Sequence, residues 1–215
     1  MAEMNDSFNE VTAEMLKVIS DYDSVTGFQG AYNIRQDSMC AGRKNSENIT
    51  IESKTDKPGI NIRVKPGTKG ETVYIPACVT HSNVDDLVYN DFFIGEGADV
   101  TIVAGCGVHS DGSETARHNG IHRFFLEKGA KVLYKEKHIG TGKGTGLRRI
   151  DPVTDAYLKE DSYLEMDTVQ LRGVDRTTRS TSAVLDKGAK IVVRERIMTD
   201  GDEDAGTKFK VELNG

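Results

Sequence analysis

Four stretches of the chain align without gaps: FFIGEGADV from Phe92, FFLEKGAKV from Phe124, AYLKEDSYL from Ala156 and AVLDKGAKI from Ala183. Each is a short apolar segment, a charged turn that usually contains Gly-Ala, and the start of a second apolar segment. Their first residues lie 32, 32 and 27 positions apart. Recurrence of one unit at such a spacing marks a repeat architecture, because a single unit cannot bury its own apolar face and must stack on the next. The apolar segments alternate with period two, as half-buried strands do. In KVLYKEKHI, Val132, Tyr134, Glu136 and His138 share one face, with Leu133 and Ile139 on the other. In KIVVRERIM, Ile191, Val193 and Ile197 oppose Val192, Arg194, Arg196 and Met198. NITIES, GINIRVKPG and ETVYIPACV read the same way upstream. The gaps between strands are too short for crossover helices, which excludes an α/β sheet. A β-sandwich also has many short strands, but the near-constant period favours an all-β solenoid.

Composition agrees. Hydrophobic residues are 37%, tryptophan is absent, and 22 glycines stand against 4 prolines, a mix suited to strands joined by glycine turns. One segment departs from this pattern. NDSFNEVTAEMLKVISDYD carries Phe8, Val11, Met15, Val18 and Ile19 at helical spacing, predicting one amphipathic helix over roughly residues 7 to 22, capped by Asp6 or Ser7 and docked on the rest. The expected organisation is a helical segment over 1–26 and a β-helix core over 27–215. A formal charge of -6 argues against nucleic-acid binding and gives no help at an anionic membrane. No apolar run approaches the ~20 residues of a membrane span, and no signal-peptide pattern opens the chain. Three widely spaced cysteines make no disulfide framework, so the expected location is a reducing cytoplasm.

All five histidines and two of the three cysteines fall between residues 78 and 138. The segment CGVHSDGSETARHNGIH alone holds Cys106, His109, His118 and His122. Cys78-Val-Thr-His81 and Cys106-Gly-Val-His109 are both Cys-x2-His and lie 28 residues apart, close to one coil. Stacking of successive coils is therefore expected to bring two thiols and two imidazoles to one rim, with His118 and His122 nearby and His138 one strand further on. Thiolate and imidazole suit zinc or iron–sulfur species. The spacing matches neither a zinc finger nor a ferredoxin, and a polar turn that carries histidines stays open as the other reading. Cys40 reads as a core or surface residue. GTGKGTG lacks the residue order of a phosphate-binding loop, TDGDEDAG lacks the spacing of a calcium loop, and no Ser-His-Asp arrangement is legible, so no catalytic set is expected.

The run DDLVYNDFFIGEGADVTIVAGCGVH, followed by HNGIHRFFLEKGAKVLY, resembles the SufB/SufD family of the SUF iron–sulfur assembly machinery, and within it the short forms of archaea and anaerobic bacteria. The shared pattern is a coil ending in Gly-Cys-x2-His, a polar linker, and a histidine-bearing strand that leads into a Gly-Ala-Lys-Val coil. It continues with falling specificity to about Gly215. The resemblance implies a right-handed parallel β-helix acting as a scaffold without turnover of its own. Such a scaffold pairs with a SufB/SufD-like partner or a second copy of itself, and it works with an ABC-type ATPase subunit. A transient iron–sulfur cluster is built on it with sulfur from a cysteine-derived donor. The resemblance also implies Cys106 as sulfur acceptor or cluster ligand. The expectation is that His109 or bound iron favours its thiolate; His109, Cys78, His81, His118 and His122 are the further candidate ligands, placed by spacing alone. Family members continue into a further segment and a C-terminal helical region that docks the ATPase, which is expected to be absent from this chain. The alternatives are a β-helix polysaccharide lyase or hydrolase, and a structural partner subunit that binds no cluster.

Overall fold

The computed structural model describes residues 7–23 and 26–215. Helix α1 (Glu10–Ile19) is shorter than its apolar pattern predicts. Its cap is Asn9, whose side chain accepts from the Thr12 N–H at 2.8 Å; Ser7 precedes the cap, and Asp6 lies outside the described residues. Two antiparallel pairs follow, β1 (Ala31–Gln36) with β2 (Met39–Lys44), and β3 (Ile49–Ser53) with β4 (Gly59–Val64).

From there the chain winds as a β-solenoid. Its successive coils are β5 (Lys69–Val79) and β6 (Asp85–Ile94), β7 (Asp99–His109) and β8 (Ala116–Leu126), then β9 (Lys131–Thr141) with β10 (Arg148–Ile150) and β11 (Val153–Leu158). Two more coils are β12 (Tyr163–Gln170) with β13 (Arg176–Asp186), and β14 (Lys190–Ile197) with β15 (Asp204–Asn214). The first strand of each coil enters one sheet, in the order β14-β12-β9-β7-β5-β1-β2. The second strand enters the other, where β13, β11, β8, β6, β4 and β3 are neighbours in turn and β15 lies on β13. Every pairing between coils is parallel.

The four aligned stretches are in register in space. Phe92 pairs with Phe124, Phe124 with Ala156, and Ala156 with Ala183. The turn within each stretch needs one left-handed residue, supplied by Gly97, Gly129 and Gly188 (φ +63°, +64° and +71°) and in the third repeat by Asp161 (φ +60°). Aspartate is among the few residues that tolerate this conformation, which is why the repeat survives there without glycine.

Inside, the two sheets pack face to face. Phe92, Phe124, Ile94, Leu126, Leu158 and Val132 belong to one apolar core in half of the lumen. A second apolar cluster joins Cys106 to Val79, Val108, Ala116, Ile150 and Val174, and the polar side chains of His118, His122, Glu136 and His138 are buried as well. Helix α1 covers the outer face of the first sheet through Met15, Leu16 and Ile19. Gly105 and Gly107 make this possible. A Cβ at Gly105 would meet the Ile19 carbonyl oxygen at 2.4 Å, and one at Gly107 the Met15 sulfur at 2.4 Å. In the Gly-Cys-Gly run the outward positions are thus bare so that the helix can seat, and Cys106 between them points inward.

Candidate metal centre

Cys106 sits near the end of β7, in register with His138 on β9. Glu136 lies two residues before His138 on the same face of β9, so one strand offers a carboxylate and an imidazole beside the thiol. One donor atom from each of Cys106, Glu136 and His138 lies within 4.8 Å of the other two. They form the one such group of three or more Cys, His, Asp or Glu residues among the described residues. Glu136 Oε1 is 3.4 Å from His138 Nε2, and that nitrogen is buried with no hydrogen-bond partner.

The carboxylate is held from two sides. Arg179 donates to Oε2 at 2.8 Å and the Tyr134 hydroxyl donates to Oε1 at 2.8 Å, while Arg179 also pairs with Glu195 at 2.7 Å. Burial pushes the Glu136 carboxyl up, but the Arg179 guanidinium beside it outweighs this and holds it well below the usual range. Burial lowers His138, against the pull of Glu136. The pair is therefore carboxylate and neutral imidazole. His122 reaches the same network through Nδ1, 2.8 Å from the Tyr134 oxygen, with Asn90 Nδ2 3.3 Å from Nε2. Since the phenol proton goes to Glu136, Nδ1 of His122 carries a proton and Nε2 accepts.

His118 belongs to a second set. Its Nδ1 is 3.0 Å from Asp86 Oδ2, and Arg35 grips the same carboxylate with contacts of 2.7 to 3.0 Å. Burial alone would raise Asp86, but the His118 hydrogen bond and Arg35 hold it below the usual carboxylate range. Between these sets lies a chamber of about 230 Å³. Its lining runs from exposed Met39 and half-buried Cys40 and Arg43 to buried Cys106, His118 and His122.

The expected rim of two thiols and two imidazoles is not formed. Cys78 pairs with Gly107, and it is Ala77 that pairs with Cys106. The register offset here is 29 residues rather than 28, and a one-residue slip turns a side chain to the opposite face of a sheet. Cys78 accordingly faces outward under α1, packed with Met15, Leu16 and Ile19. His81 is largely exposed, with Nδ1 2.8 Å from the Thr80 hydroxyl. His109 is bound to Thr141 at 3.0 Å and Asp111 at 3.1 Å. It sits three residues on, on the face of β7 opposite Cys106, whose thiol burial first and Glu136 second push far up. The expectation that His109 favours a thiolate is thus corrected: in the free chain Cys106 is a neutral thiol. Glu136 and His138 are both absent from the candidate ligands read from the sequence. Their signal was Glu-x-His on a strand whose histidine comes one coil after a cysteine.

Burial lowers the His122 pKa from 6.5 to about 4. A histidine whose pKa falls on folding binds its proton first in the unfolded chain, so stability is lost as pH drops from about 6.5 toward 4. At about 1.4 kcal/mol per unit, the loss is roughly 3 kcal/mol. Urea unfolding at pH 7 and pH 4.5 should show it, and His122→Asn should shed most of it; an equal acid loss in the variant would refute this assignment. Asp86 acts in a lower window, with its contribution present above about pH 4 and lost below.

No protein-family model matches the chain. Curated relatives do. An iron-sulfur cluster assembly SufBD family protein of Archaeoglobus fulgidus is 27% identical over a 204-residue alignment, which takes in 76% of this chain and 54% of the relative. This chain is similar to SufBD-family proteins. Two further SufBD family proteins, both of Methanothermobacter thermautotrophicus, are 32% and 30% identical over 89 residues, covering 40% of this chain and 21% of each relative. The chain thus matches about half the length of the Archaeoglobus SufBD protein and less of the others. As in the SufBD reading of the sequence, the fold is a β-solenoid with an N-terminal helix. No helix among the described residues is long and apolar enough to cross a membrane.

Proposed function

We propose that this chain is a scaffold component of SUF-type iron–sulfur cluster assembly, with Cys106 as the residue that accepts sulfur or ligates nascent cluster. The observation that carries the reading is the placement of Cys106 on the wall of the interior chamber with Glu136 and His138 beside it. The family of its relatives supplies the chemical setting. Sulfur acceptance balances without an oxidant. The Cys106 thiolate attacks the terminal sulfur of a donor persulfide, a new S–S bond forms, and the donor's own sulfur leaves as thiolate. Because burial keeps the thiol protonated, the attack needs a proton acceptor or a metal ion at the site. In this reading the protein works in the cytoplasm with an ABC-type ATPase subunit, has no turnover of its own, and leaves ATP hydrolysis to that partner. Pairing with a second copy or a SufB/SufD-like subunit is part of the proposal.

Anaerobic reconstitution with ferrous iron and sulfide tests the reading through the visible spectrum and the iron bound per chain. The intact chain should take up iron and sulfide stoichiometrically, and Cys106→Ala should lose at least about tenfold in uptake. Equal uptake by the two proteins would remove Cys106 from the function.

A further inference from the structure

Several inward-facing polar side chains, Asn90, Thr168, Gln170 and His138 among them, keep a buried atom without a hydrogen-bond partner, and His138 is the one set beside both a thiol and a carboxylate. It is 1% exposed, its Nε2 has no hydrogen-bond partner, and that atom lies beside a thiol and a carboxylate. We propose that Cys106, Glu136 and His138 hold one divalent transition-metal ion inside the solenoid, iron(II) in the setting of the scaffold reading on which this inference rests.

Thiolate, imidazole and carboxylate are the donor types that such ions take, and three protein ligands with one open position describe a site built for exchange or chemistry rather than for structure. The spacing suits an ion. Two ligands each about 2.1 Å from a tetrahedral centre lie about 3.4 Å apart. That is the separation of His138 Nε2 and Glu136 Oε1, which do not meet as a hydrogen bond. The cysteine is also placed for the role, since Cys106 and His138 are register partners on adjacent strands and point the same way.

The surroundings orient the ligands. Tyr134 and Arg179 fix the Glu136 carboxylate from behind, the kind of outer contact that sets a ligand's direction at metal sites. Charge points the same way. Glu136 and Glu195 flank the single Arg179, leaving one excess negative charge in the cluster. A divalent ion bound with loss of the Cys106 proton adds one positive charge and neutralises it. Access comes from the chamber. Cys106 lines it together with Ala77 and Ala104, whose small side chains leave room before the site. A fourth ligand, water or an incoming sulfur species, would enter from that side.

The test is an anaerobic titration of the full chain with Co²⁺, whose tetrahedral thiolate complexes give a charge-transfer band and strong visible ligand-field bands. The expected result is one ion per chain with both signatures. Cys106→Ser should abolish the charge-transfer band, and His138→Gln should weaken binding at least about tenfold while circular dichroism shows the fold retained. Cys78→Ser, under the helix, should leave the titration unchanged. Absence of the bands in the intact chain, or their persistence in Cys106→Ser, would overturn the site. Sulfur uptake from a persulfide donor, read by mass spectrometry, separates the two readings. An intact chain that takes sulfur on Cys106 yet binds no cobalt refutes the ion site alone, and one that binds cobalt but never takes up sulfur or cluster upholds the site against the scaffold role.

Discussion

Arg179→Met is expected to destabilise the chain by about 3–5 kcal/mol at pH 7, the usual cost of removing one partner from a buried ion pair. Arg179 is 6% exposed and Glu136 is 1% exposed. The guanidinium holds the carboxylate at 2.8 Å and reaches Glu195 with its Nε, bridging β9 and β14 from the opposite sheet. Without it, Glu136 keeps the Tyr134 hydroxyl but faces only the neutral His138 imidazole and no cation. The sign with pH follows. The Glu136 pKa is depressed in the folded chain, so its contribution is present above the unfolded value of about 4.3 and lost as pH falls below it. The deficit of the variant should therefore shrink in acid. A compensated variant, Arg179→Met with Glu136→Gln, should recover most of the loss, because both partners of the charge pair are then neutral. Urea unfolding followed by circular dichroism measures all three. A single variant within about 1 kcal/mol of the parent would show that the pair is dispensable.

Phe124→Ala should cost a similar amount, about 3–5 kcal/mol, for a different reason. Phe124 is fully buried, stacked on Phe92 with centroids 4.5 Å apart and set edge-on to Tyr134 at 5.2 Å. Its neighbour in the next coil is Ala156, which offers little to fill the space. Removing the ring leaves a cavity in the lumen between two hydrogen-bonded sheets that cannot close inward. Phe125 is the internal control. It is the next residue, faces outward, and stacks on Phe93 and Tyr157 at 5.1 and 5.2 Å, only half-buried. Phe125→Ala should cost less than half as much. Equal losses would mean that the alternation is not what sets the core. Tyr134 loses a packing partner in Phe124→Ala and aligns Glu136, so cobalt affinity should fall together with stability.

Much of this was legible in the chain itself. The four ungapped stretches became register partners, and the inward face read from KVLYKEKHI, with Tyr134, Glu136 and His138 together, is the face that meets Cys106. Period-two alternation and a turn with one left-handed residue are local properties, fixed by backbone sterics and by the need to bury one face. The helix was legible for the same reason, although its cap and length were set by contacts of Asn9 with Thr80 and Gln36 from distant strands.

The pairing of coils was a tertiary matter. Between β5 and β7 the offset is 30 residues at Lys69 and, past an irregularity at Gly70, 29 from Glu71 onward. A count of 28 between the two Cys-x2-His motifs looked like one coil, yet the offset differs from it by one along most of the pair. That difference decides whether Cys78 shares a lumen with Cys106 or lies on the far side of the sheet, because side chains reverse with every residue. The sequence by itself determined that this chain coils, which strands do it and which of their residues face inward together. Only the tertiary structure decided which cysteine meets which histidine, since register depends on turn lengths and bulges accumulated between strands, and no single strand contains that information.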